Sequence, residues 1–252
     1  MGTIVSIGGG SMELGENVPI HRSLVELTGL ERPHALLIPT ASYDEPERWD
    51  TFNTEFRDKL GCATDVLYLL NRSPSLQELE EKILGADLIY VSGGNTLKMM
   101  RRWRHLGVGK VLQAAYDHGT ILSGQSAGML CWFAYGHSDS WHYYRPDDWD
   151  YVRVKGLGWI NAIGCPHFDT GTVGQLRADN FKRMLLRHSE PGIAVDNHCA
   201  LQLVDGSYRV VTSRSGAGAY ALSNRNGIVV VEPLEQRKDF IPIANAFPAP
   251  TP

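Results

Sequence analysis

Short, continuously apolar runs alternate along the first half of this chain with stretches whose apolar residues recur at helical spacing. The runs at residues 3–7, 35–38, 66–69, 87–91 and 120–124 are too short for buried helices, and turn residues close most of them, so they read as buried strands. Residues 17–29, 45–60, 75–84, 96–104 and 108–118 carry the helical periodicity. Ser75, with Glu78 three residues on, is a capping-box signal at the start of one of them. Strands that are apolar throughout, alternating with helices, predict an α/β fold: a mainly parallel central sheet with helices on both faces. Turns rich in Gly, Ser or Thr follow the strands that begin at residues 3, 35, 87 and 120. That carboxyl edge of a parallel sheet is where ligands bind.

The alternation breaks at 134–166, which is dense in Trp, Tyr, Asp and Gly. This stretch reads as an excursion over the sheet edge. It is either a lid or specificity loop, or a surface loop held by its own aromatic residues. A helix is expected over 175–188. Short runs at 193–195, 200–204, 208–212 and 219–222, with a further one within 223–231, predict antiparallel hairpins at the far edge of the sheet. Residues 232–252, rich in Pro and Ala toward their end, read as an extended tail. The expectation is one α/β domain over 1–252.

Composition narrows the function. The net charge of -4, with no long run of either sign, argues against nucleic acid or an anionic membrane as partner. No apolar stretch reaches the ~18 residues of a membrane span. The start, Met1-Gly2-Thr3-Ile4-Val5, reads as a first strand rather than a signal peptide. Four widely spaced cysteines point to buried free thiols and a cytoplasmic protein. No zinc spacing occurs among the nine histidines, and neither metal nor organic cofactor is expected.

The chemistry centres on Gly124-Gln125-Ser126-Ala127-Gly128. Placed between a strand and a helix, Gly-x-Ser-x-Gly is the sequence form of a nucleophile elbow, a sharp turn that lifts a serine hydroxyl clear of the sheet. The N–H of Ala127 would then sit at a helix start, aimed where an oxyanion forms. The plainer alternative is a structural turn whose Ser caps the helix. A general base is expected in His167, just past a strand end in Gly164-Cys165-Pro166-His167, with His137 and His142 in reserve. Asp139, Asp169 and Asp196 are the candidates to orient it. Asp139 ranks first because it gives the chain order Ser, Asp, His, whereas Asp169 lies close enough to His167 for a local turn. Gly93-Gly94-Asn95, at another strand end, offers a second oxyanion donor and a substrate contact through Asn95; alternatively Asn95 caps the next helix.

Taken together, Ser92-Gly93-Gly94-Asn95-Thr96, Gly124–Gly128 and Pro166-His167-Phe168 resemble the peptidase E family of serine peptidases, the aspartyl dipeptidases, to which cyanophycinase is related. Ile7–Gly10 and residues 37–42 fit too, so the resemblance covers nearly residues 1–222. It implies a fold similar to the class I glutamine amidotransferase domain, with serine replacing the cysteine nucleophile. By resemblance Ser126 is the nucleophile, His167 the base, and the N–H groups of Gly94 and Ala127 the oxyanion hole. Family members place an Asp further past the serine than Asp139, near Trp141. An arginine on the helix after the histidine serves the preference for aspartate, and Arg177 or Arg183 would fill that place. Arg177 is favoured because it lies nearest the helix start, and an arginine fork pairs a carboxylate through two hydrogen bonds. The expected function is therefore a cytoplasmic serine dipeptidase preferring N-terminal Asp, with a small peptide as its partner and a homodimer left open. The rivals are an esterase or amidase, a cyanophycinase-like hydrolase, and a non-catalytic binding protein on the same scaffold.

Overall fold

The computed structural model describes residues 2–172 and 175–243. In chain order, β1 (Thr3–Ile7) leads through a glycine turn to α1 (Val18–Glu26), β2 (His34–Ile38) and α2 (Pro46–Asn53), which continues as a π-helical turn (Thr54–Lys59) into β3 (Ala63–Val66). There follow α3 (Leu76–Leu84), β4 (Leu88–Val91), α4 (Thr96–Leu106), α5 (Val108–Asp117), β5 (Ile121–Gln125) and the single turn of α6 (Ala127–Leu130). The second part holds β6 (Phe133–Ser138), β7 (Val152–Lys155), β8 (Ile160–Cys165), the short pair β9 (Gly171–Thr172) and β10 (Gln175–Leu176), and α7 (Arg177–Leu185). β11 (Gly192–Val195), β12 (Cys199–Val204), β13 (Ser207–Thr212), β14 (Ala219–Arg225), β15 (Ile228–Pro233) and β16 (Ile241–Pro242) close the order.

The larger sheet has eight strands in the order β16-β13-β12-β1-β5-β4-β2-β3. From β1 to β3 every pairing is parallel, and from β1 to β16 every pairing is antiparallel. Alternation along the parallel strands sends successive side chains to opposite faces. Leu36, Ile38, Ile89, Val91 and Leu122 pack with Ile83, Met99, Trp103 and Leu112 of α3, α4 and α5. Their neighbours Ala35, Leu37, Leu88, Tyr90 and Ile121 pack with Ile20 and Leu24 of α1 and Phe52 of α2. Helices thus cover both faces of the parallel part. Ser75 caps α3 by accepting the N–H of Glu78 at 3.1 Å.

Periodicity did not foresee the second sheet, of six strands in the order β15-β14-β11-β8-β6-β7. The stretch 134–166 supplies much of it, so only the segment between β6 and β7 is the expected excursion. That segment is pinned by Ser140, whose hydroxyl accepts from the N–H of Leu97 at 3.0 Å, and it leaves Trp141, Tyr143 and Tyr144 exposed. One face of the sheet packs through Phe133, Ile193 and Val195 on Leu201 and Val210 of the first sheet, while Phe181 and Leu185 of α7 cover Ile163 and Ala194 on the other. Residues 232–243 do not form the extended tail expected from residue 232. β15 runs through Pro233, Leu234 is buried, and β16 pairs Ile241 with Tyr208; residues 244–252 lie outside the described residues. Among the described residues no helix is long and apolar enough to cross a membrane, and all four cysteines are buried thiols.

Candidate active site

β5 lies between β1 and β4, and its end delivers Ser126 at the junction of the two sheets. The Ser126 N–H donates to the Ile7 carbonyl at 3.0 Å, as if to continue the ladder. The chain then turns back sharply, with Ser126 at φ 56° and ψ -110°. A non-glycine residue rarely holds that conformation, so strain is concentrated on the serine. The turn sits so tightly on β4 that a Cβ on Gly128 would lie 2.1 Å from the Val91 carbonyl oxygen. Gln125 is fixed as well: its amide donates to the Gly10 carbonyl at 2.8 Å, and its oxygen accepts from Asn17 at 3.2 Å and from the Tyr90 hydroxyl at 3.3 Å.

β8 and β11 are parallel neighbours, so the residues past their carboxyl ends reach the same edge. His167 follows β8 and Asn197 follows β11. His167 also takes a positive φ, 50°, and its carbonyl is held by the N–H and hydroxyl of Thr170 at 3.1 and 2.8 Å. The imidazole Nε2 stands 2.9 Å from the Ser126 hydroxyl. Its Nδ1 stands 2.7 Å from the Asn197 Oδ1. A carboxamide oxygen can only accept, so Nδ1 carries the proton and Nε2 is left bare to accept from the serine. Asp169 holds Asn197 in turn, its Oδ1 accepting from the Asn197 backbone N–H at 2.9 Å and from Nδ2 at 3.0 Å. Burial, and next the Arg177 guanidinium, hold the imidazole below the ordinary histidine value of 6.5, against smaller raising effects of Asn197, Asp139 and Asp169. The ring is therefore neutral at pH 7 and able to accept a proton.

Both ring nitrogens are thus occupied, and Asp139 is at neither. Asp139 instead faces Arg177 at 3.5 Å. Asp196 turns away into the second sheet, where it accepts from the Gly218 N–H at 2.9 Å and the Tyr220 hydroxyl at 3.1 Å. Asp169 reaches across to the next strand end instead of closing a local turn. Sequence reasoning passed over Asn197 because a search for a carboxylate stopped at its neighbour Asp196. No local signal separates Asn197 from Asp196; the parallel pairing of β8 with β11 does.

Arg177 does not line the cavity beside Ser126. It is 3% exposed, donates to the His137 carbonyl at 2.9 Å, and lies over the Tyr151 ring. Asn95 is committed as the cap of α4, its Oδ1 accepting the Lys98 N–H at 3.0 Å and its Nδ2 donating to Tyr43 at 3.1 Å. Gly94, at φ +133°, follows Gly93, where an added Cβ would lie 3.3 Å from that of Ser126. Ala127 opens α6, so its N–H has no acceptor within the helix. Of the reserve histidines, His137 is buried and bonded to Asn180 at 3.0 Å, and His142 stacks edge-on with Tyr143 and Trp149. The cavity at Ser126 and His167 measures 220 Å³. Leu37, Phe52 and Tyr90 line its apolar part, and Arg48 and Glu13 contribute opposite charges.

The sequence pattern of peptidase family S51 matches residues 4–211. The chain is 30% identical over 224 residues to the uncharacterized peptidase YgaJ of Bacillus subtilis (strain 168), covering 87% of this chain and 91% of that one. It is 33% identical over 95 residues to the uncharacterized peptidase PM1590 of Pasteurella multocida (strain Pm70), covering 37% and 44% respectively. In fold it is similar to the crystal structure of a peptidase from an acI-B1 Actinobacterium, with TM-score 0.73, 21% identity, and coverage of 96% and 97%. It is also similar to a protein of Listeria monocytogenes EGD-e classed provisionally as a peptidase E, with TM-score 0.63, 17% identity, and coverage of 84% and 98%.

Proposed function

The chain belongs to peptidase family S51 and is a serine-type peptidase; from that premise we propose that it is a cytoplasmic dipeptidase working through an acyl-enzyme on Ser126. The observation that carries the reading is the 2.9 Å contact between the strained elbow serine and His167 Nε2. Ser126 Oγ attacks the scissile carbonyl carbon while its proton passes to Nε2. The C–N bond then breaks, and His167 hands the proton to the departing amine. Water attacks the ester, losing a proton to the same imidazole, and cleavage of the ester bond returns that proton to the serine oxygen. The N–H groups of Ala127 and Gly94 are assigned to the oxyanion, and losing one such donor costs about 3–4 kcal/mol in sites of this kind.

The cavity supports a very short substrate, since 220 Å³ falls below the ~300–1,000 Å³ of ordinary ligand pockets. A preference for N-terminal Asp belongs to the proposal, with its charge partner reassigned. Arg177 is already engaged by Asp139 and a carbonyl, whereas Arg48 borders the cavity itself. The four buried thiols support a reducing compartment. The test is hydrolysis of Asp-Leu, Ala-Leu and a simple ester by the purified protein, with labelling by a fluorophosphonate. Ser126→Ala is expected to abolish labelling and lower kcat on the order of 10⁶-fold. Parent-like turnover in that variant would end the serine mechanism.

A further inference from the structure

Asn197 occupies the place that a carboxylate takes in a Ser-His-acid triad, and an amide raises a problem there that a carboxylate does not. A carboxylate presents an acceptor to Nδ1 whichever way it is turned. An amide presents an acceptor in one orientation and a donor in the other. With the donor facing the ring, Nδ1 would have to be bare and the proton would move to Nε2, where it blocks acceptance from Ser126. Something has to choose the orientation.

Among the described residues one group is placed to do so. Asp169 Oδ1 takes the Asn197 Nδ2 at 3.0 Å and the backbone N–H of the same residue at 2.9 Å. It thereby grips the amide nitrogen and the main chain together, and Asn197 Oδ1 is left facing Nδ1 at 2.7 Å. The backbone around the pair is equally constrained. Asn197 forms an isolated bridge with Gly9, and the N–H of the next residue, His198, donates to the Gly9 carbonyl at 2.9 Å. We propose that Asp169 is a positioning residue that sets the amide of Asn197, so that the neutral pair performs the orienting task of a triad carboxylate. The proposal rests on the serine-peptidase reading of the site. Because Asp169 is exposed, its charge is screened by solvent and its role is geometric.

The need for Asp169 must vanish when residue 197 is a carboxylate. Asp169→Ala should lower kcat about 10- to 100-fold, by analogy with the loss of partners that orient metal-ligating side chains, with KM little changed. Adding Asn197→Asp in that background should restore most of the loss. It should also move the acid limb of the kcat/KM profile upward, because the new carboxylate raises the imidazole pKa. Nitrogen NMR of the His167 ring gives a readout that needs no turnover. The parent and the double variant should show a single Nδ1–H tautomer, and Asp169→Ala a mixture. Melting curves check that each variant folds. An Asp169→Ala protein with the parent's kcat and tautomer would overturn the proposal. So would a loss that Asn197→Asp leaves unrepaired, which would make Asp169 a structural residue. Failure of fluorophosphonate to label the parent would count against the serine reading alone, since the tautomer measurement still decides the role of Asp169.

Discussion

Gly9 has no side chain, and the space one would need is filled by the pair that addresses Ser126. A Cβ there would lie 2.0 Å from Asn197 Oδ1 and 2.3 Å from His167 Nδ1. Atoms that close must move, and a displacement of about 1 Å at a reacting centre can cost about 100-fold in rate. Gly9→Ala is therefore expected to lower kcat by at least about that factor while the chain still folds, as read from steady-state kinetics alongside a melting curve. Full turnover in the variant would show that the imidazole and amide are not held against the glycine. Asp139, by contrast, stands away from the imidazole. Its contact is the buried Arg177, so substitution there removes a counter-charge from an enclosed cation.

Among the elements, α2 brings apolar packing and charge to the cavity together. Its Phe52 is fully buried and stacks on Phe56 at 4.3 Å, and the π-helical turn that follows directs Glu55 inward onto His21. Arg48, near the other end of the helix, stands at the cavity rim with an exposed 3.6 Å contact to Glu45. A substrate carboxylate can take over so weak a partner at small cost. Arg48→Gln should lower kcat/KM for Asp-Leu about fivefold more than for Ala-Leu, corresponding to about 1 kcal/mol for a solvent-screened pair. Equal losses for the two dipeptides would remove Arg48 from recognition.

For the whole molecule, the second sheet, α7 and the segment between β6 and β7 enclose a histidine that must stay neutral. His137 is fully buried, stacked on Tyr151 at 4.2 Å and bonded to Asn180. Burial first, and then the Arg177 charge, push its pKa from 6.5 down to about 3. A depressed folded-state value means that the unfolded chain takes up the proton first. The stabilisation is complete above pH 6.5 and is lost as pH falls toward about 3. The amount is on the order of a few kcal/mol. Urea unfolding across that range should show stability falling with pH, and His137→Gln should flatten the slope even where it lowers the plateau. Parallel profiles for parent and variant would rule His137 out as the source.

How much of this was legible in the chain depends on the range of the interaction. Strand and helix periodicity are local, so the parallel strands β1, β2, β4 and β5, the capped α3 and the elbow at Ser126 could be read directly from neighbouring residues. His167 could be placed for a similar reason: it follows a strand end, and strand ends in such a fold share an edge. The second sheet could not be read, because its strands are interrupted, irregular segments whose partners are distant in sequence. The same applies to the companions of the imidazole. Asp139, Asp169, Asp196 and Asn197 are all short polar side chains near turns, and nothing local ranks one above another. Their fates were decided by the parallel pairing of β8 with β11, which sets Asn197 beside His167, and by α7, whose buried Arg177 draws Asp139 away. The sequence alone determined the turn that carries Ser126 and the edge it occupies. The tertiary structure decided which side chain faces Nδ1, because hydrogen bonds only a few ångströms long select among residues that lie tens of positions apart in the chain.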